Sequence, residues 1–284
     1  MIAEFIASWE LFQTTYLAGW LIAVVLSLVG VWVVARDQIF LGVAVAQAST
    51  LGIATALWLS GMASAAAWVG SDWVAGTFAV VASVATAALT TRSGRAGAES
   101  PEAITGWIFL VSASVPVLMM AHSPHGLEEI HRLMFSTLLG ASGVDLAIFS
   151  VFSIATAAAV VRLHPQLLLF TVDEEMAAAV GMRRTLWQAG IALWLGLAIG
   201  LSIRVSGTLY TFGCLVLPAL VAKNLCREIR PVLLLAPAFA LATAVAGFVL
   251  ANHYDVPPAH CTVGLLSALL GLSWIARRAK RSAR

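Results

Sequence analysis

Long apolar runs, broken by charges, prolines and glycines, occupy most of the chain. Nine of them fall near residues 12–34, 39–60, 72–91, 103–121, 141–162, 186–203, 206–221, 231–252 and 259–276. A helix needs roughly 20 apolar residues to cross a hydrocarbon core of about 30 Å, so each run is close to one bilayer crossing in length. The pattern predicts an all-α, polytopic membrane protein of about eight or nine transmembrane helices, forming a single domain over residues 1–284. Its weakest boundary lies in "LWQAGIALWLGLAIGLSIRVSGTLYTFGCLVLPALVA", residues 186–222, where only Arg204, Ser206 and Gly207 interrupt the apolar pattern. Two spans joined by a tight outer turn fit best. A broken or re-entrant helix is the alternative, tolerable only where its freed backbone groups face protein or water. The stretch "LMFSTLLGASG", residues 133–143, raises the same question before the fifth run.

Composition agrees with the pattern and excludes ordinary soluble folds. Hydrophobic residues make up 61% of the chain and charged residues only 11%, where a soluble domain carries about a quarter charged residues. Glu4 and Glu10 stand where a secretory signal would be positively charged, so the first span is expected to be retained. Cys214, Cys226 and Cys261 have no C-x-x-C spacing and indicate neither a disulfide framework nor a zinc knuckle. A formal charge of +2 is too small and scattered to imply a nucleic-acid partner.

The distribution of charge is more informative than its sum. With the N-terminus outside, 14 of the 16 lysines and arginines fall at cytoplasmic ends and only Arg132 and Arg204 at the other face. Lysine and arginine are retained in cytoplasmic loops, so the expected orientation is N-out and C-in, in the cytoplasmic (inner) membrane of a bacterium.

Some polar residues nevertheless lie inside or between the runs. On the second run Val43, Gln47 and Thr50 stand at i, i+4 and i+7 and are expected to share a face. An amide inside a span faces protein or water, so Gln47 either glues helices together or lines a pathway. Cytoplasmic loops are expected near 163–185 and 218–231. The first, "TVDEEMAAAVGMRR", reads as a short helix with Thr171 as cap, Asp173, Glu174 and Glu175 at its positive end and Gly181 as its stop. The second, "PALVAKNLCREIRP", carries Lys223, Arg227, Glu228 and Arg230 between two prolines. Compact helical loops of this kind suit docking of a soluble partner.

Four stretches in order, "RDQIFLGVAVAQASTLGIA", "FSTLLGASGVDLAIF", "FTVDEEMAAAVGM" and "RVSGTLYTFGCLVLPALVAKNL", resemble the zinc/manganese/iron-type ABC importer permeases over roughly residues 12–276. The resemblance implies a homodimeric permease of the type II importer fold, two cytoplasmic ABC ATPase subunits and an extracytoplasmic metal-binding protein. It also implies that the segment after Pro218, with Ala219, Lys223 and Asn224, enters a cleft in the ATPase, and that Asp173 to Gly181 makes a second contact. The chain has no G-x-x-x-x-G-K-[ST] phosphate cradle. No cofactor is therefore expected on this chain, and ATP is expected to be used by the partner. The main rival is a secondary transporter driven by an ion gradient, which would place a charged group deep in a span.

The chain departs from the family at one position pair. Members of the resembled family commonly carry Asp and His four residues apart on the second span, and Val43 and Gln47 stand at the matching positions. Valine offers no lone pair and a neutral amide is a poor ligand for Zn²⁺ or Mn²⁺. This leaves a path suited to a hydrated ion, a chelate or another solute. Replacement ligands have candidates on the outer side in His122, His125, His131, His253 and His260, although their spacing matches no standard zinc motif and polar outer loops account for them equally well.

Overall fold

The structure, a computed structural model, describes residues 2–62, 72–92, 100–121, 140–226 and 228–282. Those residues form nine helices: α1 (Ile2–Ala35), α2 (Ile39–Met62), α3 (Asp72–Arg92), α4 (Pro101–Met120), α5 (Gly143–Val172), α6 (Glu174–Ala179), α7 (Arg184–Leu225), α8 (Ile229–Tyr254) and α9 (Pro258–Ser282). All but the short α6 are long and apolar enough to cross a membrane.

Helix starts follow local capping chemistry. Ser100 accepts from the Ala103 N–H ahead of α4, with Pro101 pre-set in the first turn. Ser142 and Asp145 cap α5 reciprocally, each side chain accepting from the other's backbone N–H. The helix α5 continues to Val172, so the loop expected to begin near 163 starts ten residues later in the chain's own terms, at Asp173. Arg162 and His164 are tolerated in a helix interior, and the apolar Leu167–Phe170 segment continues the buried face.

The described residues group into two compact units, one drawn from Met1–Asp37, Thr137–Asp173 and Leu209–Arg284, the other from Gln38–Ser136 and Glu174–Thr208. In the first unit α1 and residues 209–225 run in the same direction. The buried Tyr210 hydroxyl donates to the Gly19 carbonyl at 2.9 Å, Gly30 lies on the Leu215 backbone, and the Lys223 ammonium donates to the Val34 carbonyl at 3.2 Å. The last turn of α5 lies at the same end, where Arg36 sits over the Phe170 ring. Helix α8 runs back, bringing His253 to Glu4, and α9 returns to place Ser273 beside Asn224.

Within the long α7 the helical geometry breaks at Gly207, whose φ of 72° and ψ of 173° lie in a conformation open essentially to glycine alone. At about 1.5 Å per residue a straight helix of this length would be about twice as long as the hydrocarbon core is thick. Gly207 thus interrupts the helix at the place where the apolar pattern of residues 186–222 is itself weakest.

In the second unit α3 lies antiparallel to residues 184–206. Gly200 packs on Val80 and Gly196 on Val84, and the Ser83 hydroxyl is 2.7 Å from the Gly196 carbonyl. Gly52 of α2 lies on the Phe78 backbone. Such contacts follow from the solvent: lipid gives apolar helices no hydrophobic reason to associate, so close backbone approach and dispersion must do it.

A Cβ on Gly30 would fall on the Leu215 carbonyl oxygen, whereas one on Gly190 would meet nothing within 4 Å. Gly30→Ala should destabilise the protein by about 3 kcal/mol, the upper range of overpacking, in reversible unfolding in detergent. Gly190→Ala should stabilise by up to about 1 kcal/mol.

Candidate functional site

On α2 the residues Ala44, Val45, Ala46, Ala48, Ser49 and Thr50 are buried. Val43, Gln47, Leu51 and Thr55, each four positions from the next, form a stripe that is only half-buried. Gln47 therefore shares an open face with Val43, as spacing predicts, but Thr50 does not. Thr50 is 2% exposed and donates to the Ala46 carbonyl at 3.3 Å, so it is a packing residue. Ser49 is buried, and its hydroxyl has no hydrogen-bond partner among the described residues. The stripe contains no carboxylate, imidazole or thiolate. It is chemically neutral, with one amide and one hydroxyl.

A second cluster lies where α5 gives way to α6. Asp173 terminates α5 through its N–H to the Leu169 carbonyl at 2.9 Å. Thr171 is not the cap that the sequence pattern gives it: it lies inside α5, donating to the Leu167 carbonyl at 2.7 Å. The Glu174 carboxylate accepts from Arg184 Nε at 2.6 Å and from Gln188 Nε2 at 2.5 Å, clasping the start of α6 to the start of α7. Gly181 ends α6 as expected. With φ of 90° it lets Gly181 donate to Ala178 and Met182 to Ala177, a Schellman closure. Asp173 and Glu175 are exposed, as are Met176 and Val180 at 57% and 62%. A short, firmly closed helix thus presents apolar and acidic groups outward.

The third cluster is the end of α7, where the expected loop must be corrected. Residues 218–225 are helical, and Pro218 and Ala219 are buried within α7. A proline so placed frees a backbone carbonyl but does not end a helix held on several sides by packing. The outward part therefore begins at Lys223. Its ammonium donates to Asp37 Oδ1 at 3.0 Å and to the Val34 carbonyl. Asn224 donates to Ser273 at 2.9 Å and accepts from Arg277 at 3.0 Å. Arg36 reaches toward the Phe170 carbonyl at 3.5 Å with its guanidinium 5.0 Å from that ring's centroid. Sequence reasoning missed the roles of Arg36 and Asp37. The available signal was an adjacent pair of opposite charges in the short gap between two apolar runs.

At the opposite end of the first unit, His253 Nδ1 lies 2.7 Å from Glu4 Oε2, beside a cavity of about 330 Å³ lined in part by Phe12, Tyr16, Phe248, Asn252 and Asp255. His260 is exposed, and His122, His125 and His131 lie outside the described residues. Among the described residues no three His, Cys, Asp or Glu side chains are grouped to hold a metal ion. His253 takes part in an exposed pair with Glu4.

Residues 8–277 match the ABC 3 transport family. A "Probable metal transport system membrane protein" of Thermotoga maritima is 25% identical over 253 residues, covering 89% of this chain and 85% of that protein. The manganese import system permease protein ScaB of Streptococcus gordonii is 24% identical over 275 residues, 96% of this chain and 94% of its own. Among solved structures, PsaBC from Streptococcus pneumoniae in complex with Fab contains a chain that superposes with a TM-score of 0.78 at 20% identity, covering 96% of this chain and 95% of that one.

A side chain at Gly181 would be held in the left-handed region at a cost of roughly 1–2 kcal/mol. Gly181→Ala should therefore speed amide exchange at residues 177–182 by about tenfold, read by hydrogen–deuterium exchange.

Proposed function

Because the chain belongs to the ABC 3 transport family, we propose that it is the permease of an ATP-driven importer for a divalent metal ion or its chelate. The observation that carries this reading is the family match, which runs through eight helices fit to span a membrane. Metal as the cargo draws on relatives that are named for metal and manganese transport. ATP is bound and hydrolysed by separate cytoplasmic ATPase subunits, a second copy of this chain completes the path, and an external binding protein delivers the cargo.

In this reading Asp173, Glu174, Glu175 and Gly181 on one side, and Lys223 and Asn224 on the other, form the surfaces that the ATPase grips. Pro218 and Ala219 support the second surface from within α7. The N-terminus lies outside and the C-terminus inside. That assignment draws support from the first unit, where Glu4 stands at the opposite end from Lys223 and Arg277, and from the arginine excess at the latter end. A secondary transporter is disfavoured by the described spans. Their buried carboxylate, Asp145, is committed to capping α5 rather than standing deep in a helix.

The cargo's chemistry follows from Val43 and Gln47. A divalent ion stripped of water needs carboxylate, imidazole or thiolate in return, and the α2 stripe offers none of these. The ion therefore passes α2 with its own ligands, as a hydrate or a small chelate.

Reconstituted with its ATPase, the permease should accumulate radiolabelled manganese(II) in proteoliposomes only when ATP is supplied. Uptake by the permease alone under a proton or sodium gradient would overturn the reading. Val43→Asp combined with Gln47→His should tighten zinc(II) binding to the purified permease at least about tenfold in calorimetry, because i and i+4 ligands share a helix face. Unchanged affinity would show that the stripe does not meet the ion.

A further inference from the structure

We propose that Arg36 and Asp37 are positioning residues that join the ends of α5 and α7 to the turn from which α2 starts, an inference that rests on the transport reading above. Two separate elements converge on these neighbours. The Lys223 ammonium, in the last turn of α7, contacts Asp37 Oδ1 at 3.0 Å and the Val34 carbonyl at 3.2 Å. Phe170, fully buried and three residues ahead of the Asp173 turn into α6, lies under the Arg36 guanidinium and receives its Nη2 at the backbone carbonyl. The end of α7 therefore holds Asp37, and the end of α5 holds Arg36.

Asp37 also sets the direction in which the chain continues. Its φ of 54° is left-handed, a conformation that aspartate tolerates better than most residues. Gln38 accepts from the Leu41 N–H and opens the first turn of α2, which begins at Ile39 and carries Val43 one turn later. A displacement of Lys223 or Phe170 thus acts on the residues that fix where α2 starts. The Lys223–Asp37 pair is too exposed, at 47% and 82%, to be kept for stability. What it fixes is position: an ammonium bridging a side chain and a helix-end carbonyl prevents α7 from sliding independently of the α1–α2 junction.

The test uses the full permease assembled with its ATPase and carrying Gln47→Cys on α2. The rate of maleimide labelling at position 47 is compared without nucleotide and with ATP and vanadate. In the parent complex, nucleotide should change this rate by about fivefold, the lower range of coupling between distant sites. Arg36→Met and Asp37→Ala should each bring the ratio close to one, while the ATPase still co-purifies and the melting temperature holds. Asp37→Asn, which keeps a left-handed-tolerant backbone and an oxygen acceptor, should retain most of the response. A full response in Arg36→Met and Asp37→Ala overturns the proposal. If Arg36→Met does not fold, the exposed Asp37 decides the matter alone. A parent complex that hydrolyses ATP with no response at position 47 overturns the transport reading of α2 instead.

Discussion

Hydrocarbon gives a peptide group nothing to bond with, and the rest of this structure depends on that constraint. Each N–H and C=O inside the membrane must be satisfied within the protein, so the spans are helices and departures from helical geometry are confined to special places. Asp37 and Asp255 take left-handed conformations at helix junctions, and Gly181 closes α6. Gly207 is the departure inside a hydrophobic element, and it stands at the kink of α7. The same constraint governs packing. Because lipid is as apolar as leucine, helices gain from contact only when their backbones come close, and Gly30 on Leu215 or Gly247 on Thr262 provides that approach.

Much of this was legible in the chain, because hydropathy measures the transfer cost that selects the spans. Runs at 39–60, 72–91 and 231–252 became α2, α3 and α8 with only small changes at their ends. Ser206 and Gly207 marked the kink in α7. Azimuth was less legible. Thr50 lies three residues from Gln47 and was assigned to its face, yet the open stripe advances by fours, and that difference turns Thr50 into the packed side. Pro218 misled for a different reason: a proline signals a helix end only where packing is too weak to hold the helix, and here its neighbours are buried.

Long-range partners were not legible at all. Nothing local to "RDQIF" says that Arg36 meets Phe170 or that Asp37 meets Lys223, because those contacts depend on how α5 and α7 return to the end of α1. In the sequence Arg36 is only one of the basic residues at cytoplasmic ends. Charges at the ends of membrane helices nevertheless have few places to go, since burial without partners is costly and lipid forbids them. They therefore collect at junctions. Connections between spans are made where chain reversal and charge coincide.

The neutral stripe on α2 follows the same economy when read as a path for a cation. A carboxylate and an imidazole at positions 43 and 47 would strip and hold a divalent ion, and each turnover would then have to break those bonds. Passage requires binding favourable enough for entry and weak enough for release. Valine and glutamine move the balance toward release, because an ion that keeps its water or chelator loses little on entering and little on leaving. Such a path has correspondingly little power to choose between metals. In that reading selectivity lies where cargo is presented, and directionality in the proposed movement of α2 from its Asp37 end.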